Sequence, residues 1–170
     1  MNLLAANLVA TLLSFCAAIM IGLWYLAPAV TRRPLADALA VLVWFHAFRY
    51  IALQIFSAAE VGGLSASSVA QRTIAFGDLA TSVVAFITLW MLRRRLPAGK
   101  ALAWLVAVIG TADLVSATVV GINGKLTDTA TDLSWILLTV YVPFLWITAV
   151  MLFWQLISRR QEPVQPLSSA

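Results

Sequence analysis

The chain alternates long apolar runs with short polar or basic interruptions, and each run is long enough to cross a bilayer. A spanning helix needs about 20 residues at ~1.5 Å of rise each. The runs cover about residues 3–30, 35–57, 72–92, 101–121 and 132–157. They predict an all-α, polytopic transmembrane bundle of five helices forming a single domain, residues 1–158. Turn chemistry marks the breaks. Pro28 and Pro34 bracket the first exit, with Arg32 and Arg33 just beyond the run. Residues 58–68 are small and polar and read as a flexible, water-facing loop. Arg93-Arg94-Arg95, Pro97 and Gly99 make a tight turn before Lys100, and residues 121–128 form a polar loop holding two glycines. Beyond the last run, residues 159–170 begin with two arginines, continue rich in Pro and Ser, and are expected to be a disordered cytoplasmic tail.

Composition strengthens this picture. Hydrophobic residues make up 62% of the 170 and charged residues only 11%, against about 25% charged in soluble domains. The net charge of +4 is not a nucleic-acid signal, because most basic residues flank the apolar runs and act as topology determinants. Arg32, Arg33, Arg93, Arg94, Arg95, Lys100, Arg159 and Arg160 fall on one side of a five-span alternation. Only Arg72 and Lys125 fall on the other. The positive-inside rule then places the N-terminus outside and the C-terminus in the cytoplasm of a multi-pass protein of the bacterial inner membrane. Trp24, Trp90, Trp104 and Trp154 gather near the same basic boundary, as an aromatic belt does. The first run has no basic leader and is expected to be a retained span. The one cysteine, Cys16, excludes an intrachain disulfide and a thiolate metal cluster.

Candidate chemistry lies in Val43-Trp44-Phe45-His46-Ala47-Phe48-Arg49-Tyr50, in the second run. His46 is the only histidine, and three residues of helix put it on one face with Arg49. Arg49, Asp78 and Asp113 lie about six to eight residues from the outer ends of three spans. That places them in one layer, roughly 9–12 Å deep at ~1.5 Å per residue. Ionisable groups within a membrane are costly unless paired or wetted, so these three are expected to meet inside the bundle and form a site. Tyr141 falls near the Arg49 layer. Pro143 cannot donate to the Thr139 carbonyl, which leaves a free acceptor at the depth of His46. Gly77 and Gly110 leave room for close approach beside the aspartates.

Arg49 with two ionised aspartates leaves a charge of −1. Protonated His46, a proton on an aspartate or a bound cation would balance it. The expected ligand-binding or proton-coupling residues are therefore His46, Arg49, Asp78, Asp113 and Tyr141. The plainer reading makes Arg49 and an aspartate a structural pair that fixes helix register. Zinc on His46, Asp78 and Asp113 is disfavoured by the adjacent Arg49, and haem lacks a second histidine, so no metal is expected and no cofactor is identified.

His46-Ala47-Phe48-Arg49, Gly77-Asp78, Asp113-Leu114 and Val142-Pro143 together resemble a pattern in small, uncharacterised bacterial multi-pass membrane proteins. The resemblance implies that these polar positions belong together, and it implies no activity. The translocator family of tryptophan-rich five-helix proteins is similar in span number and tryptophan content only; its tryptophan/proline-rich motif is absent. Function is thus expected to be the binding or passage of a small ligand, an anion held by Arg49 being one form, with proton coupling through His46 and the aspartates. The alternatives are an accessory or assembly subunit of a larger membrane complex and a small intramembrane enzyme acting on a lipid-soluble substrate. The expected partners are the lipid bilayer, a small ligand or a complex subunit, with homo-oligomerisation open and nucleic acid excluded.

Overall fold

The computed structural model describes residues 3–57, 60–61, 64–65, 69–123 and 132–164. Five helices are long and apolar enough to span a membrane: Leu3–Thr31, Leu35–Gln54, Gln71–Arg93, Ala98–Asn123 and Leu133–Ser158. They are called spans one to five below. Apart from helix, the described residues hold a two-pair antiparallel ladder, Glu60 opposite Ser65 and Val61 opposite Leu64. This ladder lies within the loop expected to be flexible. The loop expected over 121–128 lies outside the described residues beyond Asn123.

Span two is the centre of the bundle. Its apolar window is 56% buried, whereas that of span one is 11% buried. Span three packs along both span two and span four, and span five packs against spans one, two and four. Span one leans mainly on span five, and its far end meets the start of span two. Asn7, fully buried in span one, accepts a 2.7 Å bond from the indole of Trp135 at the start of span five. A polar pair of this kind fixes the register of two otherwise apolar helices.

The main core fills the basic half of the bundle. Leu35, Leu39, Leu42 and Val43 of span two meet Ala85, Leu89 and Leu92 of span three, Ala103, Val106 and Ala107 of span four, and Met151, Leu152 and Leu156 of span five. Two polar residues of this half, Thr88 and Thr148, turn their hydroxyls back to carbonyls of their own helices, Val84 and Phe144, which satisfies them locally.

Two of three helical departures follow from a proline. Span one carries a widened π turn over Gly22–Leu26, and span five carries another over Leu137–Tyr141. The amide of Ala27 reaches the carbonyl of Gly22, and that of Val142 reaches Leu137. Each bond spans five residues, and a proline follows directly, Pro28 or Pro143. Proline lacks the amide and crowds the carbonyl four residues back, so widening the turn ahead of it accommodates the ring. Span two, expected to be one uniform helix, is α-helical only over Leu35–Ala47 and tightens to a 3-10 helix over Phe48–Ser57.

At the basic end, span three closes with Arg95 at φ 55°. Arg95 N–H bonds to Leu92 O and Leu96 N–H to Met91 O, both at 3.0 Å, the Schellman pattern usually closed by glycine. The Arg95 guanidinium grips both oxygens of Asp37 at 2.8 and 2.7 Å. Residues 159–164, expected to begin a disordered tail, instead fold back on the bundle. Arg159 binds Glu162 at 2.7 and 2.6 Å and donates to Arg33 O at 3.0 Å. Glu162 accepts the Leu35 amide at 3.2 Å, and Lys100 donates to the carbonyls of Arg159, Arg160 and Glu162. The unpaired amides of span two's first turn and the last carbonyls of span five draw the segment back, and a carboxylate suits a helix N-terminus. The Arg159 hydrogen bonds hold the Glu162 carboxyl below its ordinary pKa of 4.5. The tail beyond Val164 lies outside the described residues.

Candidate functional site

The site forms where span two changes from α to 3-10 geometry. That change leaves carbonyls without their usual helical donors, and two other spans supply replacements. Ser82 of span three donates to Ala47 O at 2.5 Å, and Tyr141 of span five donates to Phe45 O at 2.6 Å. Tyr141, expected in the ionisable layer, thus anchors the backbone of span two.

Arg49 emerges in the first turn of the tightened segment and is 1% exposed. Its Nε donates to Asp78 Oδ1 at 2.5 Å, its Nη2 to Asp113 Oδ2 at 2.5 Å, and its Nη1 to the Gly110 carbonyl at 2.8 Å. One guanidinium therefore joins spans two, three and four, as the matched depths required. Each charge-assisted bond is worth about 1.5–3 kcal/mol, and the planar fork lets one side chain serve several acceptors. Small residues make the approach feasible. A Cβ on Gly77 would overlap Asp113 Oδ1, and one on Gly110 would lie 3.2 Å from Arg49 Nη1 and 3.3 Å from His46 Nδ1.

His46 sits beside this cluster, fully buried. Neither ring nitrogen has a hydrogen-bond partner, so the expected contact with the carboxylates is not made: Asp78 and Asp113 turn to Arg49 instead. The Thr139 carbonyl freed by Pro143 does not serve the imidazole either. Among the described residues no group of three or more His, Cys, Asp or Glu could hold a metal ion.

A cavity of about 120 Å³ borders the cluster, with Arg49 and Asp78 in its wall. Its apolar lining includes Ala52, Ile74, Leu114, Ala117, Leu138 and Leu145. Tyr141 and Thr118 contribute hydroxyls, and Gln54 and Ser134 lie where span two ends and span five begins. His46 and Asp113 are not in the lining. Toward the basic end lies the main core. Arg49 and Asp78 form the floor of the cavity on that side, and most of the remaining lining is apolar.

Sequence reasoning missed the Gly110 carbonyl, Ser82 and the cavity walls. Ser82 carried a readable signal, since it lies four residues beyond Asp78 on the same helical face. The cavity walls had none, because Leu, Ile and Ala in a span read equally as core or as lipid contact.

The profile of one family, Domain of unknown function (DUF8737), matches residues 6–157. No curated protein matches the chain, and no solved structure does.

Proposed function

Since the chain belongs to the family Domain of unknown function (DUF8737), we propose its role from the site alone: an integral membrane protein that binds a small ligand in the cavity beside Arg49 and Asp78. The observation that carries this reading is a charged floor, Arg49 and Asp78, in a mostly apolar cavity. Largely apolar concavities with a few convergent polar groups are the usual form of a small-molecule site. Binding is favoured over passage because apolar side chains pack the bundle beyond His46. Arg49 with two ionised aspartates sums to −1, so a proton taken or released at the carboxylate pair accompanies ligand exchange. The cavity lies in the half of the bundle away from the basic end, and the basic end is cytoplasmic in a bacterial inner membrane, as the one-sided arginine distribution supports.

An enzyme acting through His46 has little support, because the imidazole does not line the cavity. A subunit role is favoured by one observation: span one buries only 11% of its apolar window and leaves a long face to a lateral partner. Native mass spectrometry tests the ligand reading. Wild type is expected to retain a small bound mass that Ala117→Phe, which fills the cavity, loses. Identical spectra for the two proteins would remove the ligand reading, and a co-purifying membrane protein would install the subunit reading.

A further inference from the structure

Resting on the ligand reading above, we infer that the cavity takes a small lipophilic amine, a compact apolar body carrying one protonated nitrogen. The argument begins with what Arg49 can still offer. Three of its five N–H donors are spent on Asp78, Gly110 and Asp113, and the residue is 1% exposed. Two carboxyl groups already share its single charge. An anion entering the cavity would first meet the Asp78 carboxylate, more exposed than Arg49, and would have to lie against that like charge, and near Asp113, to reach the two N–H donors that Arg49 keeps. The anion considered from the sequence alone is therefore the ligand class this geometry opposes.

The remaining polar groups near the floor are arranged as acceptors. Asp78 gives one oxygen to Arg49 and keeps a side chain that is 13% exposed, in the cavity wall. The Tyr141 hydroxyl spends its proton on Phe45 O, and the Thr118 hydroxyl spends its proton on Leu114 O. Both oxygens keep lone pairs and have no further proton to donate. A head group that donates several hydrogen bonds and carries one positive charge matches these acceptors and the carboxylate of Asp78 in the cavity wall. Gln54 and Ser134 also line the cavity; their side chains can donate or accept and do not discriminate. The body is bounded by size. A cavity of about 120 Å³ is a little smaller than the engineered cavity of about 150 Å³ that admits benzene. Isopentylamine is of the right scale, and its branched chain suits walls of Leu, Ile and Ala.

The test uses purified full-length protein in detergent, with three probes of nearly equal size: isopentylamine, isopentanol and isovalerate. Affinity is read by competition-corrected tryptophan fluorescence and by the shift in unfolding temperature. Isopentylamine is expected to bind at least about tenfold more tightly than isovalerate, and Asp78→Asn and Ala117→Phe are each expected to abolish that binding. The probe comparison needs no variant, so an Asp78→Asn protein that fails to fold leaves the test intact. Isovalerate or isopentanol binding as well as the amine, in an Ala117→Phe-sensitive manner, overturns the amine inference and keeps the ligand reading. If none of the three shows saturable, Ala117→Phe-sensitive binding, both are overturned.

Discussion

Gly77→Ala is the sharpest probe of the arginine cluster, because it adds one methyl group at the point where span four's carboxylate meets span three. The new Cβ would overlap Asp113 Oδ1 and lie 2.7 Å from its Cγ. Asp113 is pinned by the Arg49 Nη2 bond at 2.5 Å, so it can swing aside only by giving up that bond. The loss is about 1.5–3 kcal/mol for a charge-assisted hydrogen bond. Alanine returns about 1 kcal/mol through its better helix propensity, leaving a net destabilisation of roughly 0.5–2 kcal/mol. With Asp113→Ala already present the clash is gone, and the same Gly77→Ala change should stabilise by up to about 1 kcal/mol. The two backgrounds thus differ in sign, with a coupling of about 1.5–3 kcal/mol between the positions. Unfolding in mixed micelles of increasing SDS fraction, followed by intrinsic tryptophan fluorescence, measures all four proteins of the cycle. A Gly77→Ala effect of equal sign and size in both backgrounds would refute the packing of Asp113 over Gly77.

Other consequences can be checked in the same preparations. Arg49→Lys puts a point charge where a planar fork bridges three acceptors, and should lower stability by about 3–5 kcal/mol; a wild-type SDS midpoint would show that the bridging is dispensable. The Glu162 carboxyl is held below its ordinary 4.5, so its contribution is complete above that value and is lost as pH falls through the lower, folded-state value. Glu162→Gln should therefore be less stable than wild type at neutral pH and show a flatter acid limb, and parallel pH profiles would exclude the tail contact as its source. His46→Gln should keep whatever pH dependence ligand binding shows, because the imidazole bonds neither carboxylate; its abolition would return the proton to the histidine. Single cysteines at Ser65 and Ala98, in a Cys16→Ala background, should label from outside and inside respectively, and the reverse would invert the proposed orientation.

The spans were legible because apolar length alone identifies them, and the structure moves their ends by only a few residues. The meeting of Arg49, Asp78 and Asp113 was legible for a different reason: three charges at one depth in apolar helices have few places to go but toward each other. The tightening of span two at Phe48 was not legible. No proline or glycine marks Phe48-Arg49-Tyr50-Ile51, and the change is supported by Ser82 and Tyr141, hydroxyls from distant parts of the chain. The ordering of residues 159–164 was hidden likewise, since a Glu between Arg159 and a proline reads as tail until the Leu35 amide comes within reach. The pairing of Arg49 with the two carboxylates was expected from their depth, but the third acceptor, the Gly110 carbonyl, has no side chain to announce it in the sequence.

The widened turns in spans one and five bear on how this chain can lengthen or shorten. A turn bonded across five residues instead of four holds one residue more than the α-helix around it. Deleting a single residue within Gly22–Leu26 would let span one close into regular helix. Because the widened turn has already absorbed that residue, the helix on either side would keep its facing, and Asn7 would stay aimed at Trp135. A deletion in the regular helix nearby would instead rotate everything before it by about 100°, one residue's share of a 3.6-residue turn, and Asn7 would swing toward lipid. A deletion within Leu137–Tyr141 would likewise leave Trp135 facing Asn7. These two short stretches are therefore the places where the spans can lose a residue without turning the helical half that precedes each.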